Sequence, residues 1–180
     1  DARKKDRTVD RNSCADLSRQ LVEENPHFVV LLSYPLPGRG VCRRGGHHPA
    51  DVYARLHAGE LPKTSLPAGE DIEAILRRVA EEGYDGAIAI MLSSGLSGTY
   101  NLMRLAAEEV ADQLTVRVYD SRSGSLGQGL TLLQLAEDLR AGMGWEELTQ
   151  RRVPQLLENT FAFFSVDTWS TSRRAAASAR

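Results

Sequence analysis

Three short stretches of the chain are dense in groups that bond anions. They are Thr64-Ser65-Leu66-Pro67, then Ser93-Ser94-Gly95-Leu96-Ser97-Gly98-Thr99, then Asp120-Ser121-Arg122-Ser123-Gly124-Ser125-Leu126-Gly127. Hydroxyls donate hydrogen bonds, glycines let backbone N–H groups come close to a ligand, and a helix that starts just downstream adds partial positive charge. The candidate ligand contacts are therefore Thr64, Ser65, Ser93, Ser94, Gly95, Ser97, Gly98 and Ser125. Any one of these stretches alone is better explained by helix capping and tight turns. Three of them at equivalent places point to one anion-binding site.

The sets that would make such a site catalytic are absent from the sequence. There is no Ser-His-Asp arrangement, no His-Glu-x-x-His, no Walker loop and no Gly-x-Gly-x-x-Gly, and Gly124, Gly127 and Gly129 have the wrong spacing for the last. No base stands ready to activate a serine. His47-His48 lies in a Gly/Arg-rich stretch without carboxylate or cysteine neighbours and reads as a solvated pair rather than a metal site. Cys14 and Cys42 are far apart and read as free thiols. No metal, no cofactor and no catalytic residue is expected.

The hydrophobic pattern supplies the scaffold. Ile72, Ile75, Leu76 and Val79 recur at helical spacing within residues 71–82, with acidic residues at the start and Gly83 past the end. Residues 86–92 form a continuous apolar run, as a parallel strand covered on both faces requires. After the serine loop, Leu102, Leu105, Ala106 and Val110 restart the helical period, and residues 114–119 read as a strand. Leu130, Leu133, Leu135, Ala136 and Leu139 share the next helix. Residues 145–157 predict an amphipathic helix and 161–166 a strand, while 17–24 predict a helix and 28–32 a strand. Alternating strands and helices predict an α/β fold, a parallel sheet with helices on both faces. In such sheets ligands bind at the carboxyl ends of the strands, where the serine loops fall.

Composition sets the limits. The 180 residues are 42% hydrophobic and 26% charged, the range of an ordinary globular domain, so one α/β domain over residues 1–180 is expected. A net charge of −2 with mixed signs gives no footprint for nucleic acid. No apolar run reaches the length of a membrane span and no signal-peptide pattern opens the chain, so a cytoplasmic location is expected.

The segments LPKTSLP, EEGYDGAIAIMLSSGLSGTY and YDSRSGSLGQG, in that order and spacing, resemble the DegV family, and the resemblance runs from about residue 12 to 168. It implies the first of two α/β domains, between which a long-chain fatty acid is held by its carboxylate. By the resemblance, Thr64 and Ser94 hold that carboxylate, with Ser93 as the alternative to Ser94. It further implies a carrier that is not an enzyme and that presents its fatty acid to a separate fatty acid kinase subunit. On this reading the second domain is missing from the chain.

The chain departs from the family pattern in two places. Residues 35–48 replace a stretch that in the family is similar to DGVDIT, and residues 169–180 replace one similar to LEYL followed by GGRIG. Both patterns can be recovered with permitted codons, the first by reading one base late and the second by reading one base early. We therefore expect 35–48 and 169–180 to be out of frame. Near the start, Asn12-Ser13 stands where the family has an apolar strand ending in Asp-Ser, which leaves the first strand without a clear sequence signal.

Two other readings use the same loops. One is a small-molecule or phosphoryl-transfer enzyme with Asp120 as base or metal ligand, for which Arg122 is the only basic residue within the loops. The other is an inactive truncated fragment with exposed apolar faces, and Leu66, Leu96 and Leu126 beside the polar loops are the residues expected to be uncovered.

Overall fold

The computed structural model describes residues 6–9, 15, 17, 20–21, 54, 57–58 and 66–163. Within them a three-stranded parallel sheet runs in the order β1-β2-β3, with β1 Asp6–Val9, β2 Gly86–Met91 and β3 Thr115–Asp120. Helix α1 (Gly69–Glu81) leads into β2, α2 (Thr99–Glu109) joins β2 to β3, and α3 (Leu126–Arg140) follows β3. A last helical stretch comprises α4 (Trp145–Glu147), a π-helical turn (Leu148–Arg152) and α5 (Val153–Glu158).

Strand β2 is the centre of the domain, and all six of its residues are buried. Side chains alternate across a strand, so its small residues Ala87 and Ala89, with Met91, enter one core. There they meet Ile72, Leu76 and Val79 of α1 and Met103 and Ala106 of α2. Ile88 and Ile90 enter the other core with Leu132, Leu135 and Ala136 of α3, Leu148 and Val153. Full burial of an isoleucine contributes about 1.5–3 kcal/mol, so Ile88 and Ile90 are major anchors for the second layer. The expected α/β fold with helices on both faces is what this arrangement is.

Helix α1 agrees with its sequence pattern. On α2, Leu105 is 57% exposed and Met103 takes the buried place, so the expected apolar face is rotated by part of a turn. The segment expected to be one helix from residue 145 is helical but widens to π geometry before Pro154, which has no N–H to offer the carbonyl of Gln150. The Tyr119 hydroxyl donates to the Thr149 carbonyl at 2.7 Å, tying β3 to this turn.

Strand β1 lies where the sequence carried no clear signal. It pairs parallel with β2 from Asp6↔Gly86 to Val9↔Ala89. Of the strand expected at 161–166, residues 161–163 are irregular and exposed, and the rest lies outside the described residues. The strand expected at 28–32, residues 35–48 and 169–180, both cysteines, and His47-His48 also lie outside them, as does most of the helix expected at 17–24, of which residues 20–21 are helical.

Candidate functional site

The carboxyl ends of β2 and β3 lie side by side because Met91 pairs with Asp120 in the parallel register. Ladder bonding continues past the strands. Ser121 N–H donates to the Met91 carbonyl at 3.0 Å and Ser93 N–H donates to the Ser123 carbonyl at 2.9 Å. The two serine-rich loops are thereby stitched together on one edge of the sheet.

Asp120 makes the closest link between them. Its Oδ2 accepts the Ser94 hydroxyl at 2.5 Å, and its Oδ1 accepts the backbone N–H groups of Ser94 at 3.1 Å and Arg122 at 2.9 Å. Partial burial pushes the Asp120 carboxyl up. The hydrogen bonds from Ser94 and Arg122, with the Arg122 charge, outweigh that and hold it below the ordinary aspartate range. Asp120 is therefore an anion at neutral pH. The expectation that no base faces a serine needs correction, because the register that aligns β2 with β3 brings a carboxylate onto Ser94. That contact joins residues 26 apart in sequence and depends on strand register, which residue spacing does not show.

The other site residues divide by what they touch. Ser93 Oγ accepts the Gly95 N–H at 3.3 Å, and among the described residues its own proton has no acceptor. The Ser93 carbonyl accepts N–H groups from Leu96 and Ser97 at 2.9 and 3.1 Å, closing the loop into a tight turn. The Ser97 hydroxyl is engaged with Thr99 Oγ1 at 2.8 Å and accepts the Thr99 N–H at 3.3 Å, so it shapes the start of α2. Gly98 lies against Leu66, whose Cδ1 would be 3.3 Å from an added Cβ. That packing brings the start of the described segment at Leu66 alongside the serine loop. Thr64 and Ser65 lie outside the described residues.

The second loop is buried at Ser121, Ser123 and Gly124, where Ser121 Oγ donates to the Ser123 carbonyl at 3.0 Å and accepts its N–H at 3.1 Å. Arg122 and Ser125 both have positive φ, 51° and 56°. Ser125, with ψ −136°, occupies a region that normally requires glycine, immediately before α3. Such strain costs on the order of 1–3 kcal/mol per residue and is held by the surrounding bonds. Leu66, Leu96 and Leu126, expected to be uncovered beside the polar loops, are 51%, 66% and 62% exposed.

The N–H groups of Ser94, Gly95, Leu96, Ser97 and Thr99 are already bonded within the loops, so among the described residues this edge offers chiefly the Ser93 hydroxyl beside exposed leucines, polar and apolar groups that an amphipathic ligand could meet together. Among the described residues no group of three or more His, Cys, Asp or Glu is placed to hold a metal ion, and no helix is long and apolar enough to cross a membrane. A separate groove of about 680 Å³ runs along β3 between Arg104, Arg117 and Thr149, and no serine-loop residue lines it.

Comparison with known proteins identifies the family and the fold. The family model described as "Uncharacterised protein, DegV family" matches residues 11–174. A DegV domain-containing protein of Clostridium acetobutylicum is 30% identical over 157 residues, covering 87% of this chain and 55% of the relative. Another, of Staphylococcus aureus, is 35% identical, covering 84% of this chain and 53% of the relative. The chain thus spans about half the length of the curated relatives it matches.

Among solved structures, a DegV family protein of Thermus thermophilus described by its fatty acid binding superposes with a TM-score of 0.80 at 29% identity, over 95% of this chain and 60% of that one. A Thermotoga maritima protein whose structure reveals a fatty acid binding function superposes with a TM-score of 0.75 at 30% identity, over 87% and 56%. The fold is also that of the Bacillus subtilis DegV protein, with a TM-score of 0.84 at 24% identity over 96% and 61%. With the family model matching most of its length, the chain belongs to the DegV family.

Proposed function

We propose that the chain binds a long-chain fatty acid through its carboxylate at the loops beyond β2 and β3, as a carrier and not as an enzyme. The observation that carries this reading is the joining of the Ser93–Ser94 turn to the 120–127 loop beside exposed Leu66, Leu96 and Leu126. Polar donors fix the head group, and the leucines meet the acyl chain. Thr64, Ser93 and Ser94 are the primary carboxylate donors, with Ser65, Gly95, Ser97, Gly98 and Ser125 shaping the loops around it. The fatty-acid-binding relatives of similar fold support the ligand class.

Carriage implies delivery, and the partner we propose is a separate fatty acid kinase subunit that would phosphorylate the bound carboxylate, with the exchange taking place in the cytoplasm. Each CH₂ that this chain leaves in water forgoes about 0.8 kcal/mol. If a second domain covers the acyl chain, binding by this chain alone is correspondingly weaker.

The test is calorimetry with oleate or palmitate on the native chain and on Thr64→Val. Loss of one hydrogen bond to a charged group costs on the order of 1.5–3 kcal/mol, so affinity should fall tenfold or more with the fold intact. Absence of saturable binding both by the native chain and by a frame-restored full-length version overturns the function, and unchanged affinity in Thr64→Val removes that residue from the site.

The Asp120–Ser94 contact is the one observation that favours the alternative of a phosphoryl-transfer enzyme, because a carboxylate on a hydroxyl is a general-base arrangement. A carboxyl held below its ordinary range is a weak base, which argues against that use.

A further inference from the structure

The two oxygens of Asp120 have different duties. Oδ1 accepts both backbone N–H groups, from Ser94 and Arg122, and fixes the geometry of the two loops. Among the described residues Oδ2 accepts only the Ser94 hydroxyl. A serine hydroxyl has one proton, and here it points at Asp120. Ser94 therefore presents only lone pairs to a molecule arriving from solvent, the wrong polarity for a carboxylate, and a second anion stands behind it.

We propose that Asp120 is a positioning residue that acts as a latch on Ser94: the ligand carboxylate must take the Ser94 proton from Asp120 Oδ2, so Asp120 restrains anion binding while it holds the loops. This rests on the fatty-acid reading of the site given above. Release is local, because the two N–H bonds on Oδ1 keep the loops joined while water solvates Oδ2 on this accessible surface. Recognition thus becomes an exchange of one proton between two carboxylates. A neutral head group that donates a hydrogen bond can use the Ser94 lone pairs without disturbing the latch.

The variant Asp120→Asn separates the two duties. Its amide oxygen can keep the bonds from Ser94 N–H and Arg122 N–H, while its NH₂ donates to Ser94 Oγ and turns the serine proton outward. Titrating the native chain with octanoate and with 1-octanol, followed by amide NMR shifts of Ser94, Gly95 and Arg122, gives the reference affinities. In D120N octanoate should bind at least about fivefold tighter, the gain from removing a like charge ~4 Å away even when water screens it fully. Octanol should change by less than about twofold, and the gain for octanoate should vanish when Ser94→Ala is added to D120N.

Octanoate affinity that is unchanged or lower in a folded D120N overturns the latch and leaves the carboxylate site standing. Failure of both native and D120N chains to bind octanoate at these loops overturns the carboxylate reading and the latch together. If D120N does not fold, the native chain decides the matter through the Asp120 carboxyl-carbon titration. Octanesulfonate, ionised throughout, should raise the Asp120 pKa by taking its hydrogen bond and adding a negative charge, against the opposing Arg122 charge. A titration unmoved at saturating sulfonate refutes the latch.

Discussion

Gln128 Nε2 donates to the backbone carbonyl of Ile90 at 2.7 Å, from a side chain with no exposure to solvent. The pairing of β1 with β2 ends at Ala89, one residue earlier, so the first turn of α3 supplies a partner where the described ladder stops. This bond fixes the start of α3, and therefore the strained loop that precedes it, against the central strand. Gln128→Leu keeps the bulk and removes the donor. It should lower stability by about 1–3 kcal/mol, seen as a lower urea midpoint at unchanged slope. An unaltered midpoint would show that water replaces the amide without cost.

Gly129 lies directly on the backbone carbonyl of Ala15, with Leu17 Cδ2 at 3.0 Å from where a Cβ would stand. A main-chain oxygen has no rotamer by which to retreat, so Gly129→Ala must push α3 away from the 15–17 segment despite the better helix propensity of alanine. The expected loss is about 1–3 kcal/mol for overpacking. Higher thermal stability in the variant would mean that this contact is loose in solution.

Most of the fold is legible because β2 is so apolar. The short apolar run Gly86–Met91 reads as a strand covered on both faces, and the helical period of 72–79 supplies one cover; in the other, Leu135 and Ala136 are buried as expected, but Leu130 is 62% exposed and Leu132 takes the core place. Strand β1 is not legible, since Asp6-Arg7-Thr8-Val9 is a short polar run whose strand state comes from pairing with β2 rather than from its own residues. In the site, the serines are visible as composition. Their partners are not. Asp120 meets Ser94, and Ser93 meets Ser123, only through the β2–β3 register, and the positive φ at Arg122 and Ser125 has no glycine to announce it.

The proposed frame errors at 35–48 and 169–180 make a prediction about DNA rather than protein. Resequencing the source across codons 35–49 and 168–180 should reveal alternative frames that read DGVDIT in the first region and LEYL then GGRIG in the second. If the confirmed DNA contains neither reading, both segments are genuine divergent sequence and the frame errors are abandoned.

The lowered pKa of Asp120 has a signed consequence for stability. Its unfolded value is that of an ordinary aspartate, and its folded value lies below this, because the bonds from Ser94 and Arg122 outweigh the effect of burial. The folded state therefore favours the ionised form. The contribution is fully present above the unfolded pKa and is lost as pH falls through the lower, folded pKa. The native chain should thus exceed Asp120→Asn in stability at pH 7, with the gap closing in the acid range below about pH 4, near the unperturbed aspartate value. Urea midpoints of the two proteins between neutral and acid pH measure that gap directly. A gap that stays constant with pH would mean that the Asp120 charge adds nothing to the loop junction, and that the carboxylate acts there only through its shape. A gap that widens on acidification would reverse the sign of the linkage, requiring Asp120 to be favoured in its protonated form when folded. The latch on Ser94 needs an ionised Asp120 and would fall with that result.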